Sequence, residues 1–151
     1  MFDTVLGLPV HVLVVHAVVV GLPLMAVVTA VVAFMPTLRR WMAWAVAVAD
    51  AGVVLLTFVA RESGEQLQQR LGGQVAQEHA ALGRNLIWFA LLVFAVAVVV
   101  ALTRGSRRPG RSTMAGAVGV VAAVLAIWWT VLVGHTGAQA VWQGIVQSTT
   151  K

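Results

Sequence analysis

The chain has 151 residues, 60% of them hydrophobic and 10% charged, with a mean hydropathy of +0.94; soluble domains run at about 45–50% apolar and about 25% charged. A chain this short cannot hide so much apolar surface in one core, so an ordinary soluble enzyme, a disordered chain and a fibrous protein are excluded and a single-domain integral membrane protein over residues 1–151 is indicated. The net charge of +5 comes without a basic face interleaved with aromatics, so nucleic acid is not an expected partner, and the absence of cysteine excludes disulfides, thiolate metal sites and thiol catalysis.

The first apolar block runs from Pro9 to Phe34. Spanning the hydrocarbon core takes about 20 apolar residues in a helix, and only a helix satisfies its backbone within one lipid-exposed segment. The block has no basic residue before it, unlike a signal peptide. Pro23 in its middle is expected to kink it. A short link with Arg39 and Arg40 leads to the second helix, about 41–71, which opens on Trp41 and Trp44. Ala45 and Ala49 form a row of small residues on it, suited to close helix approach.

Residues 61–85 are polar and nearly neutral, with Arg61, Arg70 and Arg84 against Glu62, Glu65 and Glu78. Those glutamates read as solvated partners of the arginines at small energetic gain. The pattern is nonetheless helical. Leu67 and Leu71 are four apart, and Val75, His79, Leu82 and Leu86 lie on one helix face, with Gly72-Gly73 as the turn between. Helices two and three are therefore expected to protrude beyond the membrane, and His79 to lie on the inward stripe.

The third helix covers about 74–103. The link after it carries Arg104, Arg107, Arg108 and Arg111, and the fourth covers about 114–134. Ala115, Gly119 and Ala123 form a second small-residue row, at least one of Trp128 and Trp129 is expected inside the bundle, and Trp142 falls just beyond the helix. The two arginine-bearing links are short and share a side, which places them in the cytoplasm and both termini outside the inner membrane. The fold class expected is all-α: a transmembrane four-helix bundle in the lipid bilayer.

All four histidines then sit in or just above the outer half of the membrane: His11 and His16 on helix one, His79 before helix three, His135 at the end of helix four. His11 and His16 are about 140° apart around an ideal helix and share no face. His16 with His79 or His135 is the better pair. Two imidazoles from facing helices suit a b-type haem, and three could hold copper or zinc. Asp50, the only acidic residue within a block, lies roughly 15 Å below the outer end of helix two, and His16 roughly 10 Å below the start of helix one. If those helices are neighbours Asp50 could back a ligating histidine.

Electron transfer with a redox partner is the leading reading, with His16 and His135 as ligands and His79 and His11 as alternates. A cofactor-free accessory subunit docking a larger membrane complex, or a homo-oligomer, is a second reading, because histidines at helix ends also cap carbonyls and bridge helices. A small transporter or proton pathway through Asp50 and His16 is a third. No hydrolase-type arrangement surrounds Ser63, Thr136 or Ser148, and no phosphate loop or trustworthy internal repeat is visible.

Three segments carry a family likeness. Leu8-Pro9-Val10-His11-Val12-Leu13-Val14-Val15-His16 resembles the opening Leu-Pro-x-His-x-x-x-x-His of the family called domain of unknown function 2231. Glu78-His79-Ala80-Ala81-Leu82-Gly83 is similar to its histidine before helix three, and Val133-Gly134-His135-Thr136-Gly137 through Val141-Trp142 to its closing Gly-His-x-Gly segment, with Trp142 where Tyr is common. The resemblance implies four membrane helices and marks His11, His16, His79 and His135. Some relatives are joined to Rieske-type or cytochrome-like domains, which implies redox chemistry.

Overall fold

Residues 4–5, 8–70, 77–105 and 110–149 are described by the computed structural model. Two short strands, β1 (Thr4–Val5) and β2 (Leu8–Pro9), pair antiparallel and lead into four helices: α1 (Val10–Phe34), α2 (Pro36–Arg70), α3 (Gln77–Leu102) and α4 (Arg111–Thr149). All four helices are long and apolar enough to cross a membrane. Each packs on its sequence neighbours, and α1 closes the ring against α4.

The helix ends follow local chemistry. Met35 alone separates α1 from α2, and its carbonyl accepts the Arg39 N–H at 2.9 Å. Pro36 can occupy the first helical position because its missing N–H would have no partner there. Arg39 and Arg40, expected in a link, therefore lie in the first turns of α2. Arg39 is buried, and its Nε has no hydrogen-bond partner among the described residues. Arg40 is exposed. Gly110 precedes α4 with a φ of 84°, a left-handed conformation that favours glycine. Its carbonyl accepts from Met114 N–H at 2.9 Å.

The 35 residues of α2 extend over about 52 Å at 1.5 Å per residue, against a hydrocarbon core of about 30 Å. α4, expected to stop at Gly134, continues to Thr149 and carries Trp142 within it. Gly134 and Gly137 weaken a helix without ending it, and no proline follows to stop it. α1 likewise runs on through Pro23. The Gly72-Gly73 turn lies outside the described residues, as does Val75.

The interior is built of small and β-branched side chains. Ala26, Ala30, Ala97 and Ala126 are buried in a cluster with Leu22 and Val93. The outer surface is apolar as well, with Val20, Val48, Leu55 and Val131 exposed, as lipid contact requires. α1 and α4 approach closely at glycines: a Cβ on Gly119 would come 3.1 Å from Ala30 Cα, and one on Gly116 would enter the Phe34 ring. Of the expected row Ala115, Gly119 and Ala123, Gly119 makes this close approach, Ala123 is buried and Ala115 half-buried, and Gly116, outside the row, makes the second. Ala45 and Ala49 of α2 are exposed and contribute no such contact inside the bundle. Trp129 packs inward, stacked on Phe89 with ring centroids 4.8 Å apart, and its Nε1–H donates to Leu82 O at 3.0 Å. Trp128 is exposed.

Candidate functional site

Helical phase decides which histidines meet. His11 is half-buried and His16, five residues on, is exposed, as a 140° separation dictates. The His16 Nδ1–H donates to Val12 O of its own helix at 2.6 Å. His135 is also exposed, because Val133, Thr136 and Gly137 take the inward positions on that turn of α4. The pairing of His16 with His79 or His135 is therefore corrected: both favoured ligands turn outward. Among the described residues no group of three or more His, Asp or Glu side chains is placed to hold a metal ion. A three-imidazole centre is not formed.

His11 and His79 converge instead. Both line a cavity of about 140 Å³ at the end of the bundle where α1 begins and α2 ends. Val15, Val18, Leu86 and Val133 form apolar walls, and Thr57, Arg61, Glu65, Gln68 and Arg84 supply polar groups. Arg61 and Glu65 pair at 3.2 Å on successive turns of α2. Both are more than a third exposed, so the pair adds little stability.

The two rings are held alike. The His11 Nδ1–H donates to Ala60 O at 3.1 Å and stands 3.3 Å from Ser63 Oγ. The His79 Nδ1–H donates to Val133 O at 2.9 Å. A carbonyl oxygen only accepts, so Nδ1 carries the proton on both rings, and in the neutral imidazole Nε2 is left as the bare lone pair. Each ring also rests on a glycine one turn beyond the accepting carbonyl. A Cβ on Gly64 would come 2.8 Å from His11 Cε1, and one on Gly137 3.0 Å from His79 Cε1.

The likeness extends along both hairpins. Ser63 Oγ–H donates to Ala60 O at 3.1 Å, and Thr136 Oγ1–H to Val133 O at 3.1 Å. One turn before the accepting carbonyls, Thr57 donates to Val53 O at 2.8 Å and Thr130 to Ala126 O at 2.7 Å. Thr57, Ala60, Ser63 and Gly64 of α2 match Thr130, Val133, Thr136 and Gly137 of α4 at one constant sequence offset. Counted from His11 and His79, the buried Val18 and Leu22 of α1 likewise match Leu86 and Ala90 of α3. The α1–α2 and α3–α4 hairpins are matched units. The similarity escapes sequence inspection because it resides in a Ser/Thr-Gly step and scattered hydroxyls, set in surroundings where Val and Ala recur everywhere.

Asp50 is apart from this site. It is 2% exposed, and its Oδ2 accepts from Thr29 Oγ1–H at 2.7 Å. It lies ten residues from Ala60, roughly 15 Å along α2. No hydrogen bond links it to a histidine, so its expected role behind a ligating imidazole is not what this arrangement provides.

The space beside the two inward rings is small for a porphyrin. Pockets for drug-sized ligands occupy about 300–1,000 Å³, well above the cavity's about 140 Å³. A single metal ion with water fits that space. The two Nε2 lone pairs are suitable donors, because a ligating histidine ordinarily gives its other N–H to a carbonyl or carboxylate.

The chain belongs to DUF2231, a family of predicted membrane proteins, whose sequence model matches residues 7–150. Among curated proteins and among solved structures, neither comparison returns a match.

Proposed function

We propose that this DUF2231 membrane protein holds a transition-metal ion between His11 Nε2 and His79 Nε2. The observation that carries the reading is the pair of Nδ1–H bonds to Ala60 O and Val133 O, which orient both rings and, in the neutral imidazole, leave Nε2 as the lone pair of each. Imidazole suits copper and zinc. Copper would supply one-electron chemistry, and electron transfer to a redox partner is then the role. The chain's contribution is to hold two neutral imidazoles on opposite hairpins and to keep the ion behind the apolar walls of Val15, Val18 and Leu86. His16 and His135 stand outside the pair.

The membrane is the cytoplasmic one, with the arginine-bearing end of the bundle inside and the histidine end outside. The arginine excess at that end, Arg39 and Arg40 at the start of α2 and Arg104, Arg107, Arg108 and Arg111 from the end of α3 to the start of α4, supports this. Single cysteines introduced at Gly105 and at Gln139 test it, since the chain has no cysteine of its own. In intact cells an impermeant maleimide should label Gln139→Cys and spare Gly105→Cys. The reverse pattern overturns the orientation.

Metal content decides the main reading. Detergent-purified protein loaded with Cu²⁺ or Zn²⁺ and desalted should retain close to one ion per chain, and His11→Ala or His79→Ala should lose it. A cofactor-free accessory role has its own support, since each imidazole ties one helix to the next by a hydrogen bond. Under that role neither ion is retained, and the same substitutions lower thermal stability alone.

A further inference from the structure

The middle of the bundle contains a polar pair that packing does not require. Asp50 is buried on the inward stripe of α2, between Val46 and Val53, and Thr29 on α1 donates to it at 2.7 Å. No cation faces it. Between His16 and Arg39 on the α1 side, between Arg84 and Arg104 on α3, and between Arg111 and His135 on α4, the chain has no titratable residue. On α2 itself Asp50 stands alone between Arg40 and Arg61. Among the described residues Thr29 is its one hydrogen-bond partner, and the buried residues of α3 and α4 include the apolar Val93, Ala97, Ala123 and Ala126.

The second hairpin serves as an internal control. At the positions matching Thr29 and Asp50 it has Ala97 and Ala123, both buried. The same fold is thus built with two methyl groups at the place where the first hairpin buries a hydroxyl and a carboxyl. A lone carboxylate in hydrocarbon is costly, and an intramembrane acid that nothing structural demands marks a site of function.

We propose that Asp50, positioned by Thr29, is a proton-binding site in the membrane interior. The carboxylate takes up one proton to become the neutral acid and returns it to water, with no other bond made or broken. Thr57 lies two turns further along the same stripe and lines the histidine-end cavity, so that end offers a polar opening. The proposal does not rest on the metal reading: it needs neither His11 nor His79 to bind an ion.

The test uses dicyclohexylcarbodiimide, a lipid-soluble reagent that adds to a protonated carboxyl and rearranges to an N-acylurea retaining all atoms of both reactants. Full-length protein in phosphatidylcholine vesicles is labelled across a pH series, and adduct formation is followed by the mass of the peptide containing Asp50. Labelling at low pH that falls away as pH rises is the expected result. Asp50→Asn, which keeps a hydrogen-bonding partner for Thr29, should abolish the adduct on that peptide, and Thr29→Ala should move the midpoint of the pH profile. Absence of an adduct on Asp50 at every pH, or labelling that does not vary with pH, overturns the proposal and leaves the pair as a tie between α1 and α2. Loss of metal binding with pH-dependent labelling intact would refute only the histidine site.

Discussion

The imidazole of His79 reaches from α3 to donate its Nδ1–H to Val133 O on α4 across 2.9 Å. The ring can come so close because Gly137 presents no side chain beneath it. A methyl group there would stand 3.0 Å from both Cε1 and Nδ1. Gly137→Ala is therefore expected to displace the ring and weaken its bond, with a loss of about 1–3 kcal/mol, the usual cost of overpacking. Gly64→Ala should act in the same sense on His11. Thermal unfolding in detergent measures the loss, and unchanged melting in both variants would contradict the packing described.

The same two variants should weaken metal retention by about 10–100-fold, the usual effect of disturbing groups that orient a ligating histidine. His16→Ala and His135→Ala should leave retention unchanged, because both rings face away from the cavity. Copper and zinc titrations followed by elemental analysis separate these outcomes. A large effect of His16→Ala would move the site elsewhere.

Removing one member of the Thr29–Asp50 pair should cost more than removing both. Thr29→Val leaves the Asp50 oxygen without its donor, a penalty of about 1–3 kcal/mol for a buried polar atom. The double change to alanine at positions 29 and 50 reproduces what the second hairpin already carries at its matching positions. Its melting temperature should therefore lie above that of Thr29→Val. A double variant less stable than the single one would show that the two hairpins do not substitute for each other here.

Trp129→Phe removes the Nε1–H donor to Leu82 O and alters the stack on Phe89. A net loss of about 0.5–1.5 kcal/mol is expected for the hydrogen bond. Trp128→Phe, on the exposed face, should have little effect. Comparing the two melting temperatures checks the assignment of inner and outer rings.

The four spans were plain in the sequence because apolar length alone identifies them. Their ends were less so. Hydropathy placed Arg39 outside α2, yet Pro36 starts that helix earlier, and it ended α4 at Gly134, although nothing there breaks a helix. That His11 and His79 belong to one end of the bundle was legible from position. Which of the four histidines share a cavity was not, since this depends on helical phase: His11 and His16 differ by 140°. The sequence also showed that Asp50 was isolated within its span, but not its partner, because Thr29 carries no pattern of its own.

The matched hairpins bear on how such an enclosure can arise. Each hairpin bears a single inward imidazole, and the cavity walls draw on both. Two identical copies facing each other across a dyad would form the chamber as a homodimer, with both halves obliged to be equal. Joining the copies in one polypeptide removes that obligation. One half can then keep alanines at its centre while its twin takes on an acid and a hydroxyl.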